Sequence, residues 1–233
     1  MRSLVFQHTE EEGPGTLELW FRERALPFHV HHWYRNKESP DAAKFDCLVI
    51  LGGPMNVNQE AEYPWLSEEK SFLRNWIEKQ KPVLGICLGG QMLAQALGGT
   101  VSKNPQREIG FHTITRHPIS YPAFRRWPKE LAVYQYHEDT FSIPPGCENL
   151  AFSEACPRQA FSRGNKLLGL QFHPESTENW IRGNAASISR STDENFVQNP
   201  EETELLLRKR LPPLTENFFL LMDDFVEIGR AHV

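Results

Sequence analysis

Apolar runs and amphipathic stretches alternate through the first hundred residues. Ser3-Leu4-Val5-Phe6 reads as a strand, Gly13-Pro14-Gly15 as a turn, and Thr16 to about Ala25 as a helix. Phe28 to Trp33 reads as a second strand. Phe45-Asp46-Cys47-Leu48-Val49-Ile50-Leu51 is nearly continuous in apolar character and stops at Gly52-Gly53-Pro54, as expected of a strand covered on both faces of a parallel sheet. Trp65 to Gln80 repeats at helical spacing through Leu66, Phe72, Leu73, Trp76 and Ile77, with Ser67 as the expected N-cap. Pro82 to Ile86 is a further short strand, and Met92 to Leu97 a helix that Gly98-Gly99 ends. This alternation predicts a doubly wound α/β sheet with helices on both faces, whose ligands bind at the carboxyl ends of the strands.

Beyond Gly99 the pieces become short and strand-like: Ile109–Thr115, Leu131–Tyr136, Asn149–Phe152, Gln159–Ser162 and Leu167–Phe172. That spacing predicts antiparallel strands appended to the parallel core. Ser176 to about Leu211 is polar, with a mobile loop between helical segments expected over Ser187–Asn195. Pro212-Pro213 then predicts the start of a last helix, Leu214 to about Ile228, burying Phe218, Leu221, Met222 and Phe225, with Gly229–Val233 as a frayed tail. One domain is expected across residues 1–233, with its core in about 1–175 and a polar loop and helices over about 176–228.

Composition narrows the class of partner. A net charge of −5 with no basic block argues against a nucleic-acid or anionic-membrane surface. The apolar stretch at the N-terminus is too short for a signal peptide and no window approaches a membrane span, so a cytoplasmic location is the expectation. Cys47, Cys87, Cys147 and Cys156 are widely separated, with no Cys-x-x-Cys pair, which predicts neither a disulfide framework nor a metal site. His29 and His31 are read as the exposed face of an edge strand rather than as metal ligands, and Glu10-Glu11-Glu12 as a solvated loop on the rim of the site.

Within this frame Gly85-Ile86-Cys87-Leu88-Gly89-Gly90-Gln91-Met92 stands out. Cys87 falls where a strand turns into a helix, so its side chain projects above the sheet edge, and small neighbours leave room for the tight turn. The free N–H groups of the following helix favour thiolate, the reactive form. A cysteine nucleophile needs a base, and the base needs orienting. Phe172-His173-Pro174-Glu175 supplies both: residues two apart in extended chain point the same way, and Pro174 stiffens that arrangement. Acyl transfer also needs donors for a developing oxyanion. The Leu88 N–H at the helix start is one, and a glycine of Gly52-Gly53 can turn another into the site.

Together, Gly52-Gly53-Pro54, Gly85-Ile86-Cys87-Leu88-Gly89-Gly90-Gln91 and His173-Pro174-Glu175 resemble the motifs of triad-type, class I glutamine amidotransferases, most closely the glutaminase domain of GMP synthase in free-standing form. The resemblance implies a flavodoxin-like core that hydrolyses L-glutamine to glutamate and ammonia without a cofactor. It implies Cys87 as nucleophile, His173 as acid and base, Glu175 as its orienting partner, Gly53 and Leu88 as the oxyanion hole, and Gly53, Pro54 and Gln91 as substrate contacts. Tyr136-His137-Glu138-Asp139 is similar to a His-Gly-Asp stretch bordering the glutamine pocket, which adds His137, Glu138 and Asp139; here Glu138 replaces the glycine.

Two alternatives keep the same fold. One is a γ-glutamyl peptide or conjugate hydrolase using the same triad, with Glu138 and residues 176–211 shaping another pocket. The other is a binding or regulatory module of low turnover. No synthetase domain or Gly-x-x-x-x-Gly-Lys loop is present in these 233 residues, so the ammonia is expected to go to a synthetase partner chain or to solution.

Overall fold

The computed structural model describes residues 1–36, 38–188 and 194–230. The amino-terminal half builds the parallel part of the sheet: β1 (Ser3–Gln7), β2 (Phe28–His32), β3 (Cys47–Ile50) and β4 (Val83–Ile86), with helices α1 (Thr16–Glu23), α2 (Trp65–Glu78) and α3 (Leu88–Ala96). After them come β5 (Val101–Arg116), β6 (Glu130–Phe141), β7 (Glu148–Phe152), β8 (Ala160–Arg163) and β9 (Leu167–Leu170), then α4 (Glu178–Ala186) and α5 (Pro200–Arg230). All nine strands form one sheet in the order β2-β1-β3-β4-β9-β8-β7-β5-β6.

Period-two alternation divides the buried residues between the two faces. Val5, Cys47, Val49, Leu84 and Ile86 point into a core shared with Leu17, Trp20 and Phe21 of α1 and with Leu214, Phe218, Leu221 and Phe225 of α5. Their neighbours Leu4, Phe6, Leu48, Ile50 and Val83 point to the other side, against Leu66, Leu73 and Trp76 of α2 and Leu88, Met92 and Leu93 of α3. Both faces are therefore covered, as the doubly wound reading requires.

Three expectations need correction. First, β9 is not one of the appended antiparallel strands: it runs parallel to β4 from Val83↔Leu167 to Ile86↔Leu170, and antiparallel only to β8. It is buried throughout, as suits a strand inside a covered sheet. Second, α2 begins at Trp65 rather than after Ser67, with Pro64 before it and no side-chain cap. Third, α5 runs through Pro212 and Pro213 instead of starting after them, and it continues past Gly229. Prolines inside a helix forfeit N–H bonds, but the apolar stripe Leu207, Leu214, Phe218, Leu221 and Phe225 continues across them and keeps the helix on the core. The stretch 176–211 carries helical segments on either side of its loop, as expected. It holds α4 and the start of α5, and around Val197 it runs parallel to β5, with Ile109 N–H donating to Phe196 O at 2.9 Å and Gln198 N–H to Ile109 O at 2.9 Å. Residues 189–193 of the expected mobile loop, and 231–233 of the expected tail, lie outside the described residues.

The β4–α3 turn is where packing is tightest. A Cβ on Gly85 would lie 2.7 Å from the Gly90 nitrogen and closer still to the Gly89 carbonyl, so the helix seats directly on the strand backbone. Gly85→Ala is expected to destabilise the protein by about 1–3 kcal/mol, the usual cost of overpacking a closed core. Urea unfolding measures this; an unchanged midpoint would mean that α3 can retreat without loss.

Candidate active site

Cys87 occupies the single residue between β4 and α3 with φ 50° and ψ −108°, a conformation a non-glycine residue rarely adopts. Backbone bonds hold it there. Its N–H donates to Leu170 O at 2.8 Å, and Gly89 N–H donates to Leu51 O at 3.2 Å. The side chain is 7% exposed, with Gln171 Nε2 3.8 Å and Tyr136 O 3.9 Å from the sulfur.

His173 and Glu175 follow β9, so the parallel pairing of β9 with β4 sets them beside Cys87. His173 Nδ1 bonds Glu175 Oε1 at 2.9 Å. The residue is fixed on several sides: the His173 backbone N–H donates to Tyr134 O at 2.9 Å, Ser176 Oγ donates to the His173 backbone carbonyl at 2.8 Å, and the Trp180 ring lies 4.9 Å from the imidazole. Glu175 is anchored in turn, since Thr16 N–H at the start of α1 donates to its carbonyl at 2.8 Å. Burial opposes a charged ring, but the charges of Glu175 and Cys87, with hydrogen bonding to both, hold the His173 pKa well above its usual value. His173 Nε2 has no hydrogen bond of strict geometry, which leaves it available to a group between it and the sulfur.

These side chains open into a cavity of about 450 Å³, lined also by Gly53, Pro54, Gln91, His137, Glu138 and Asp139. Of the candidate catalytic, oxyanion and substrate residues, all but Leu88 and Glu175 line this one cavity. Leu88 abuts it, since a Cβ on Gly53 would sit 3.0 Å from Leu88 Cδ2. Glu175 reaches it through His173. Among the described residues, neither the Gly53 N–H nor the Leu88 N–H donates to a protein acceptor. Gln91 Nε2 donates to Asp139 O at 3.3 Å, tying α3 to β6 across the cavity.

On the opposite wall the β5–β6 register slips between Lys103 and Glu108, where Pro105 has no N–H for the ladder. Lys103 and Arg107 both pair with Glu138, at 2.7 and 3.3 Å, and Arg107 also pairs with Glu194 at 2.6 Å. Glu138 is thus an ion-pair centre where the similar motif has glycine. His137 is locally bonded, Nδ1 to Asp139 O at 3.0 Å, while its Nε2 meets buried Glu108 at 3.1 Å. Glu108 is held further by Ser153 Oγ at 2.6 Å and Gln159 Nε2 at 2.7 Å.

Two readings change. His31 is buried against Phe6 and Trp33, not exposed like His29, and desolvation lowers its pKa to about 4. Among the described residues no cluster of histidine, cysteine or carboxylate side chains is arranged to hold a metal. Glu10 and Glu11 are exposed as expected, but Glu12 is half-buried and faces the cavity. A Cβ on Gly52 would lie 2.9 Å from Glu12 Oε2 and 2.7 Å from His173 Cε1, so this carboxylate stands beside the imidazole. Burial raises its pKa, with nearby His173 acting in the opposite direction.

Two residues went unnoticed in the sequence. His8 and Glu69 are fully buried, with His8 Nε2 3.1 Å from both Glu69 oxygens and Nδ1 2.7 Å from Gly52 O. The available signal was Glu69 itself, three residues from Leu66 and from Phe72 and so on the apolar stripe of α2.

The comparisons with known proteins agree with this architecture. The family described as glutamine amidotransferase class-I matches residues 17–182, and the chain belongs to that family. The glutamine amidotransferase-like protein YfeJ of Salmonella typhimurium is 31% identical over 212 residues, covering 87% of this chain and 89% of that one. GMP synthase of Thermomicrobium roseum is 39% identical over 130 residues, 55% of this chain but only 23% of that protein. A crystal structure of a glutamine amidotransferase from Methylobacillus flagellatus superposes with TM-score 0.90 at 28% identity, covering 98% of this chain and 94% of that one. No helix among the described residues is long and apolar enough to cross a membrane.

The raised His173 pKa has a consequence for stability. A group that binds its proton more tightly when folded stabilises fully below its unfolded pKa of about 6.5, and that contribution fades as pH rises through the folded value. Glu175→Gln, which removes the charge that holds the proton, is expected to cost most stability between about pH 5 and 6.5 and progressively less toward alkaline pH. Unfolding midpoints across pH check this; a penalty that grows with pH would contradict it.

Proposed function

We propose that this chain hydrolyses the side-chain amide of L-glutamine through a γ-glutamyl thioester on Cys87. The observation that carries the reading is the convergence of a strained, backbone-pinned cysteine and the His173–Glu175 pair on one cavity. In this reading the Cys87 sulfur attacks the amide carbon, and the carbonyl oxygen takes up negative charge opposite the Gly53 and Leu88 N–H groups. The C–N bond then breaks as His173 gives its proton to the departing nitrogen, releasing ammonia. Water adds to the thioester with His173 now accepting a proton, the C–S bond breaks, and glutamate leaves. Glu175 holds the ring in the tautomer and orientation both halves require. Each oxyanion donor supplies about 3–4 kcal/mol of barrier lowering when such a donor is well placed.

Gln91, Pro54 and the His137–Asp139 stretch border the amino-acid end of the substrate. The match to GMP synthase covers under a quarter of that protein, and in keeping with it we take residues 1–233 as one glutaminase-type domain. It passes its ammonia to a synthetase partner chain or to solution, and four free cysteines suit a reducing cytoplasm.

One feature favours a second substrate class. The cavity reaches the Lys103–Glu138–Arg107 ion pairs, and this charged wall, where the similar motif has glycine, shapes a pocket suited to a γ-glutamyl peptide or conjugate.

Wild-type protein incubated with glutamine is expected to give glutamate and ammonia in equal amounts, and Cys87→Ala to give neither. Activity surviving that substitution would remove Cys87 from the mechanism. Across a panel of γ-glutamyl amides and peptides, kcat/KM is expected to favour free glutamine on the first reading; a preference for the peptides would select the second.

A further inference from the structure

His8 and Glu69 form a buried imidazole–carboxylate pair that no step above uses. Neither is exposed to solvent, and they come from separate places, the residue just after β1 and the first half of α2. Placing a histidine and a carboxylate in a dry core costs stability unless each is fully satisfied. Here the imidazole has a partner at each nitrogen, and Trp65 stacks on it at 5.6 Å and 15°.

The chemistry of those partners orients the protons. Gly52 O can only accept, so Nδ1 carries hydrogen and donates to it across 2.7 Å. The other nitrogen faces the Glu69 carboxylate. Burial would lower the His8 pKa, but the Glu69 charge and hydrogen bond, with the bond to Gly52, hold it above the ordinary value. The ring is therefore held by Glu69 on one side and directs its Nδ1–H at the Gly52 carbonyl on the other.

That carbonyl belongs to the peptide unit whose nitrogen is Gly53. No peptide among the described residues is cis, so the Gly53 N–H points opposite to the Gly52 C=O. The carbonyl faces His8; the N–H faces away from it, and it has no protein acceptor among the described residues. A Cβ on Gly53 would lie 3.1 Å from His8 Cβ and 3.0 Å from Leu88 Cδ2, so His8 and the nucleophile turn bracket this peptide. Gly52 accepts from a donor that pins its plane and draws electron density toward oxygen, which makes the Gly53 N–H a stronger donor by the cooperativity of linked hydrogen bonds.

We propose that His8 and Glu69 are positioning residues that lock and polarise the Gly52–Gly53 peptide, so that the Gly53 N–H is aimed at the oxyanion formed during attack by Cys87. This rests on the oxyanion role given to Gly53 above. Neither residue touches the substrate. The pair acts before reaction, by removing the freedom of a Gly-Gly unit that would otherwise rotate cheaply.

The test compares two reactions of the same sulfur. Acylation of Cys87 by saturating L-glutamine, followed by rapid acid quench and mass spectrometry, needs the oxyanion donor. Alkylation of Cys87 by iodoacetamide proceeds by direct displacement and does not. His8→Ala is expected to slow acylation tenfold or more, and Glu69→Gln, which keeps the shape but removes the charge, roughly threefold to tenfold. KM is expected to change little, and alkylation to stay within about twofold of wild type in both variants, because the Cys87–His173 pair is untouched. His8→Asn, whose amide nitrogen takes the place of Nδ1, is expected to recover much of the rate lost in His8→Ala. If His8→Ala does not fold, Glu69→Gln and His8→Asn carry the comparison. Wild-type acylation by Glu69→Gln, or parallel loss of acylation and alkylation, would overturn the proposal while leaving Cys87 as nucleophile. A wild-type chain that never acylates would overturn the glutaminase reading as well.

Discussion

The structure depends on one tight contact: the seating of α3 on the end of β4 with Cys87 caught between them. A residue at φ 50° and ψ −108° carries strain on the order of 1–3 kcal/mol, and it persists only where the surroundings over-determine it. The surroundings do so here from both sides. Leu170 O of β9 takes the Cys87 N–H, Leu51 O beyond β3 takes that of Gly89, and Gly85 and Gly89 let backbone approach backbone. The same neighbouring strands that hold the cysteine then deliver the other parts of the site, His173 after β9 and Gly53 after β3. Sheet order thus sets the composition of the site as well as the stability of the core.

Around the cavity, charge is handled in one recurring way. Among the described residues, three buried imidazole–carboxylate pairs lie around it, His173–Glu175, His137–Glu108 and His8–Glu69, each within 3.1 Å. In two of them the second ring nitrogen meets a backbone carbonyl, Asp139 O or Gly52 O; in the third it is left facing Cys87. A buried carboxylate–imidazole pair with both ends satisfied is a rigid strut, whereas one with an open nitrogen can transfer a proton. The distinction separates the His173 pair, proposed to do chemistry, from the two that brace the chain around it.

The parallel half of the fold was legible because β1, β3 and β4 are buried on both faces and read as short, largely apolar runs, β3 stopping at Gly52-Gly53. The Cys87 turn and the His173-Pro174-Glu175 stretch were legible for a local reason: their geometry is encoded within a few residues. What escaped was non-local. The parallel pairing of β9 depends on where β4 lies, not on its own alternation. The continuation of α5 through Pro212-Pro213 depends on a core that rewards it. Glu12 read as part of a solvated acidic run because nothing nearby in sequence reveals the imidazole beside it. His8 and Glu69, 61 residues apart, carry meaning only once β1 and α2 are packed together; a carboxylate on the buried stripe of α2 was the one trace of them.

The central claim is that Cys87 is acylated by a γ-glutamyl amide. Quenching the protein in acid during turnover of L-glutamine, followed by peptide mass spectrometry, reads nucleophile and acyl group together. The account predicts a γ-glutamyl adduct on the Cys87 peptide, released by hydroxylamine and absent from Cys87→Ala. Turnover with no adduct at any quench time, or an adduct on another residue, would contradict it.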